Sequence, residues 1–313
     1  MHAQSHANLP DRRQWLGRTA SVAAAGTLAA MTSLAAPSPA RAIEPIARNG
    51  KSKFKFSLAA YSYRDLLTGK PPKLTLADFI DDCAKFGLEG TELTSYYFPP
   101  QPTGEYLRDL KRQCFRLGID VSGTAVGNDF CHPPGERRDK EIAGVKRWIE
   151  HAEVLGAPVI RIFSGNAKSG QSAEQAHKLA VAGMEECCEY AGQHGVTLAL
   201  ENHGGLTSTV DGMLALIRDV KSPWFGVNVD TGNFRTADPY GDLAKIAPYA
   251  VNVQVKVVIH PQGGQREASD FGRLAKILRE AGYRGYVALE FEEKGDPRAE
   301  CEKYLDQLRS AFA

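Results

Sequence analysis

Residues 197–230 read TLALENHGGLTSTVDGMLALIRDVKSPWFGVNVD. Two short apolar runs, each closed by a carboxylate (Glu201 and Asp230), flank one helical pattern over 210–220. A strand, a helix and a strand in that order predict parallel strands joined by a crossover. Outward from this unit the alternation continues in both directions. Strands are predicted at 56–63, 90–94, 120–126, 159–164, 197–203, 226–230, 251–257 and 286–292. Helices are predicted at 76–86, 105–117, 138–155, 173–194, 210–220, 242–246, 271–281 and 297–311. Units of this kind, repeated over about 260 residues, match a single α/β (β/α)₈ TIM barrel. Gly87, Gly118, Gly156, Gly195 and Gly282 follow predicted helices and are expected to cap them in the left-handed conformation. An open doubly wound sheet is the competing architecture. No GxGxxG follows the first strand, so a dinucleotide site has no support.

In such a barrel the chemistry gathers at the carboxyl ends of the strands. Strand five runs into Glu201, strand six ends at Asp230, strand seven carries Gln254 and Lys256, and strand eight carries Glu290. Glu201, Asp230, Gln254 and Glu290 are spaced 29, 24 and 36 residues apart, about one strand–helix unit each. A carboxylate that follows dry strand residues is costly unless it is paired or metal-bound. Three carboxylates and an amide oxygen make a hard donor set suited to one divalent ion, Mn²⁺, Mg²⁺ or Co²⁺. Alternation along a strand puts Glu201 with His203, Gln254 with Lys256, and Glu290 with Glu292 on shared faces. His203 is read either as the group that orients Glu201 or as a substrate contact. Arg161 is either a buried ion-pair member or a substrate clamp, and Glu92 either contacts substrate or pairs with Arg161. Tyr96-Tyr97-Phe98 reads as a packed loop or as a wall for a sugar ring.

At Leu200-Glu201-Asn202-His203-Gly204-Gly205, Asp230-Thr231-Gly232-Asn233, Val253-Gln254-Val255-Lys256 and Gly285-Tyr286-Val287-Ala288-Leu289-Glu290 the chain resembles the xylose-isomerase-like sugar isomerase/epimerase superfamily, which also contains endonuclease IV. The resemblance runs over about residues 54–313. It implies that Glu201, Asp230, Gln254 and Glu290 ligate the metal, with Gln254 standing where the family usually has His. It implies that Glu201 and Glu290 exchange a substrate proton as general base and acid, with Lys256 beside the enediolate oxygen. It makes His203, Arg266, Glu92, Asn233 and Arg161 candidates to bind substrate. The expected function is isomerisation or epimerisation of a non-phosphorylated sugar or keto-sugar. A 3-keto-glycoside lyase or hydratase shares the first step, and a non-catalytic sugar-binding barrel is a further alternative. An endonuclease-like phosphodiesterase needs a His-rich cluster, and Asn233 and Gln254 stand where two of those His would be.

Residues 1–42 read as a twin-arginine export signal rather than as fold. Asp11-Arg12-Arg13-Gln14-Trp15-Leu16-Gly17 precedes an Ala-rich run and the small-x-small site Ala40-Arg41-Ala42. A linker is expected over 43–53, the barrel over 54–313, and the periplasm as destination. Without residues 1–42 the 38 basic and 37 acidic residues become 34 and 36. That balance gives no electrostatic reason to expect nucleic acid or an anionic membrane as partner. A small sugar is the expected partner, with a homo-oligomer possible. The six cysteines fall mostly in helical patterns without zinc-site spacing and are expected to be buried free thiols.

Overall fold

Residues 42–313 are described by a computed structural model. The export signal expected over 1–42 lies, apart from Ala42, outside the described residues. Parallel strands β1 (Lys53–Ala59), β2 (Gly90–Thr94), β3 (Asp120–Ala125), β4 (Val159–Ile162), β5 (Thr197–Glu201), β6 (Phe225–Asp230) and β7 (Ala250–Lys256) form the barrel with β10 (Arg284–Glu290). It closes in the order β1-β10-β7-β6-β5-β4-β3-β2. A small antiparallel pair, β8 (Val258–Ile259) and β9 (Glu267–Ala268), stands beyond β7. After a short turn α1 (Arg64–Leu67) come the longer helices α2 (Leu76–Lys85), α3 (Gly104–Leu117), α4 (Glu136–Leu155), α5 (Ala173–Gln193), α6 (Val210–Asp219), α7 (Pro239–Ile246), α8 (Phe271–Glu280) and α9 (Pro297–Phe312).

The alternation of each strand separates two interiors. On β6 Val227 and Val229 join the apolar core, while Asn228 and Asp230 are buried polar groups. On β7 Val253 and Val255 alternate with Asn252, Gln254 and Lys256 in the same way. Successive strand side chains point to opposite faces. The apolar set therefore packs beneath the helices and the polar set fills the barrel. Helices start where side chains satisfy free N–H groups: Thr75 and Asp78 close a capping box on α2, as do Ser172 and Gln175 on α5. The five glycines expected to end helices all have positive φ, 64° to 77°. Strands end earlier than expected, at Ala59, Ile162, Glu201 and Glu290, because the chain turns into loops there.

The segment expected as a linker packs against the barrel. Ile46 N–H donates to the Pro248 carbonyl at 2.9 Å, and the Arg48 guanidinium reaches the Ala250 carbonyl and lies 5.2 Å from the Tyr283 ring centroid. All six cysteines are free and buried. Among the described residues no helix is long and apolar enough to cross a membrane.

Candidate active site

β6, β7 and β10 end side by side and bring three of the expected groups together. Lys256 Nζ lies 3.0 Å from Glu290 Oε2, 2.9 Å from Glu292 Oε1 and 3.4 Å from Asp230 Oδ2. Gly232 makes room for the lysine stem, since a Cβ there would meet Lys256 Cγ at 2.6 Å. Asp230 is anchored on both sides by Asn202, whose amide donates to its carbonyl and accepts from its N–H, each at 2.9 Å. Asp230 Oδ1 accepts from Gly232 N–H at 2.9 Å, whereas buried Oδ2 has no hydrogen-bond partner among the described residues. On the adjoining β5, Glu201 is held by Arg161 of β4, Nε to Oε2 at 2.8 Å, and by the Asn233 amide, which donates to Oε1 at 2.8 Å.

Burial dominates the electrostatics. It raises the carboxyl of Glu201, opposed by Arg161 and reinforced by Asp230 and Glu290. It pushes Asp230 up to about 7 against the pull of Lys256. Burial alone would lower Lys256, but Asp230, Glu290 and Glu292 outweigh it and hold the ammonium above its ordinary value. Burial alone would lower Arg161 as well, but Glu201, Tyr96 and Glu290 together hold it above its ordinary value. Both cations therefore stay charged through neutral pH.

Gln254 and Glu92 belong to a different cluster. Gln254 Nε2 donates to Glu92 Oε1 at 2.6 Å, and Asn252 Nδ2 donates to Glu92 Oε2 at 2.9 Å. Asn252 also donates to Asn228 Oδ1 at 2.8 Å, and Asn228 donates to Gln254 Oε1 at 2.7 Å, which closes a ring. Among the described residues Glu92 thus makes no direct pair with Arg161. It is fully buried with both oxygens occupied. Burial, then Glu290, push its carboxyl up to about 7. His203, expected on the face of Glu201, lies past the end of β5 with its ring 4.4 Å from that of Phe163. Arg266 stands at the rim, ion-paired with Glu293. The aromatic loop divides: Phe98 is buried against Trp148 at 5.0 Å, while Tyr96 is exposed beside Tyr61 at 6.5 Å.

Residues 80–311 match the family described as xylose isomerase-like TIM barrel. This chain belongs to that family. The 3-dehydroshikimate dehydratase of Bacillus anthracis is 24% identical over 213 residues, 64% of this chain and 71% of that protein. A putative hydroxypyruvate isomerase of Mus musculus is 26% identical over 174 residues, 49% of this chain and 60% of that protein. Among solved structures, D-psicose 3-epimerase from Clostridium cellulolyticum H10 superposes with a TM-score of 0.67 at 16% identity, covering 82% of this chain and 99% of that one. The relatives named are enzymes, and the structural likeness supports the fold.

The chemistry of the donor set in this xylose isomerase-like barrel fits a hard divalent ion through its carboxylates. Among the described residues Asp230 Oδ2 is a buried oxygen without a hydrogen-bond partner, and Glu201, Asp230, Glu290 and Glu292 face only Arg161 and Lys256 as paired cations. Gln254 does not turn toward them. Among the described residues no three His, Cys, Asp or Glu side chains are already gathered into a ligand cage. Lys256 lies within 3.4 Å of two of the carboxylates such a cage needs. A small cleft opens over Lys256, Glu290, Glu292 and Asn233.

Asn228 and Asn252 are the site residues the sequence reading missed. Both are polar residues at inward strand positions, two before Asp230 and two before Gln254. That period of two was the signal that could have found them.

Proposed function

We propose that this barrel is an isomerase or epimerase of a non-phosphorylated sugar or keto-sugar, acting by proton transfer at the carbon beside a carbonyl. The observation that carries the reading is two carboxylate–cation couples at one mouth, Arg161 with Glu201 and Lys256 with Glu290. They stand on strands separated by β6 along the sheet. Removing a proton next to a carbonyl needs a base within reach and a positive field where the oxygen becomes anionic. Glu201 and Glu290 are the proton-exchanging pair, one as base and the other as acid. Lys256 faces the developing enediolate oxygen. Glu292 is its most exposed partner, with 41% of the side chain accessible, and is the contact a substrate oxygen would displace. Glu201, Asp230 and Glu290 would hold a divalent ion, Mn²⁺ before Mg²⁺ or Co²⁺, which would supply polarisation of the substrate carbonyl. The reading takes the twin-arginine segment as an export signal, and an exported enzyme meets free sugars rather than sugar phosphates.

A β-eliminating lyase acting on a 3-keto-glycoside is the second reading. It is favoured by the similarity to a dehydratase, whose name implies loss of water from its substrate. Both reactions can begin with the same proton abstraction. Incubation with Mn²⁺, ketohexoses and 3-keto-glucosides in D₂O, followed by mass spectrometry, separates them. Deuterium uptake with a new epimer supports the isomerase, and released aglycone supports the lyase. Absence of both exchange and elimination across the panel, in protein shown to hold metal and sugar, removes the enzymatic reading. Glu290→Gln should slow exchange about 10²- to 10⁴-fold with the fold intact. Glu201→Ala or Asp230→Ala should abolish bound metal by elemental analysis.

A further inference from the structure

A second cleft, the roomier of the two, opens on the other side of the Arg161–Glu201 couple, between the loops that follow β3, β4 and β5. The two clefts share a wall. Asn233 of the first donates to Glu201 at 2.8 Å, and Glu201 pairs with Arg161 at 2.8 Å. The Arg161 guanidinium lies 4.0 Å from the Phe163 centroid, and Phe163 and His203 line the second cleft. Glu201 therefore stands between them.

The second cleft is built rather than left over. Asn128 fixes the Phe163 backbone from both sides, donating to its carbonyl at 2.8 Å and accepting from its N–H at 2.9 Å. The loops after β4 and β5 meet backbone to backbone, because a Cβ on Gly205 would stand 2.5 Å from the Gly165 carbonyl. Gly165 has φ 96°, and its own Cβ would stand 2.0 Å from Asp129 Oδ1. Side chains at these two positions would close the floor.

Its lining is that of a hydroxyl-binding surface. Asp129 is ion-paired with Lys168, and the other polar groups include the amides of Asn128 and Asn166, the Thr207 hydroxyl and the His203 imidazole. Neutral hydrogen-bonding groups around an aromatic ring suit a polyhydroxylated ring better than an anion. A monosaccharide held over Lys256 leaves this cleft unfilled.

We propose that the second cleft is a subsite for a second sugar unit. The substrate is then a two-unit glycoside, with its reacting ring over Lys256 and Glu290 and its linked ring against His203 and Asn166. The assignment of ends rests on the functional reading given above.

Isothermal titration of the full chain with methyl β-glucoside, cellobiose, maltose and phenyl β-glucoside tests the proposal. At least one disaccharide should bind ten times or more tighter than methyl β-glucoside. Asn166→Trp, at an exposed cleft position, should reduce that disaccharide to the affinity of methyl β-glucoside and leave methyl β-glucoside unchanged. Asn166→Ala, which opens the cleft instead of filling it, should cost the disaccharide about threefold. Equal affinity for one and two units, or an equal loss of both in Asn166→Trp, overturns the subsite. A gain with phenyl β-glucoside matching that of the disaccharide overturns the second sugar in favour of an aromatic aglycone. If no sugar binds while deuterium exchange of a non-sugar ketone is observed, the subsite falls and proton transfer stands. If sugars bind with the disaccharide advantage but no exchange occurs, the subsite stands without the catalytic reading.

Discussion

Two buried polar clusters share the interior of this barrel, and they hold their carboxylates in different ways. At the mouth Asp230 and Glu290 face the Lys256 ammonium, and Glu201 faces the Arg161 guanidinium. Within the barrel Glu92 has no cation in contact and is held by the amides of Asn252 and Gln254. An ammonium on a flexible stem can leave one carboxylate for an incoming oxygen, and the charges it leaves behind become available to a proton or a metal. Amides closed into a ring have no such freedom, because each donor released leaves a buried acceptor unpaired. The charged cluster is built to exchange partners and the amide ring to keep them. Lys256→Met breaks this contrast most severely, since it leaves Asp230 and Glu290 buried without their cation. Removing one partner of a buried ion pair costs about 3–5 kcal/mol. Urea unfolding should show a loss of that size without metal, and added Mn²⁺ should restore part of it by neutralising the same carboxylates. A Lys256→Met protein as stable as the parent would show that the ammonium is not compensating them.

The amide ring can be tested by pH. The Glu92 carboxyl rises from its ordinary 4.5 to about 7 in the fold. Between those values the folded protein holds a proton that the unfolded chain has lost. The stability from this group is therefore fully present below about pH 4.5 and is lost as pH rises to about 7. At about 1.4 kcal/mol per decade of proton affinity the change is about 3 kcal/mol. Asp230 and Glu201 are raised in the same direction and add to the slope. The difference between the parent and Glu92→Gln isolates the share of Glu92. Glutamine turns one donor toward a ring whose neighbours already donate, so the variant should lose about 1–3 kcal/mol below about pH 4.5, a deficit that shrinks as pH rises. Its unfolding free energy should therefore fall less steeply between pH 5 and 7. Parallel curves for the two proteins would show that Glu92 does not titrate there.

The charged cluster was legible in the sequence for the reason the amide ring was not. Glu201, Asp230, Lys256 and Glu290 each sit at or near the end of an apolar run, and a carboxylate in that place asks for an explanation by itself. Strand alternation then placed them at one end of a barrel whose β/α rhythm was already clear. Asn228 and Asn252 ask for nothing locally, because a neutral amide in a strand is unremarkable until its partner is known. That partner, Glu92, lies 160 residues from Asn252. Spacing placed Gln254 correctly on its strand, but a one-dimensional pattern does not specify which cluster its amide joins. The strand ends were overread at Tyr63, Ser164, His203 and Glu292 because apolar and polar residues keep alternating after the backbone has left the sheet. His203 lies beyond the end of its strand for that reason. The β8–β9 pair was missed because strands of two residues carry no period.

The gentlest test of the comparison is Asn233→Ala, because Asn233 brings an amide into the charged cluster. Its Nδ2 donates to Glu201 Oε1 at 2.8 Å, on the carboxylate whose other oxygen meets Arg161. A hydrogen bond to a charged group contributes about 1.5–3 kcal/mol. Glu201 keeps its guanidinium in the variant, so the lower end of that range is expected, about a tenfold fall in exchange rate. Unfolding free energy should change by no more than about 1 kcal/mol, because Asn233 is only partly buried and water can take its place. A larger fall in stability than in rate would place Asn233 with the amides that maintain the barrel. A fall in rate alone would show that a fixed amide at the mouth positions Glu201 for proton transfer, as the amides of Asn252 and Gln254 fix the carboxylate of Glu92.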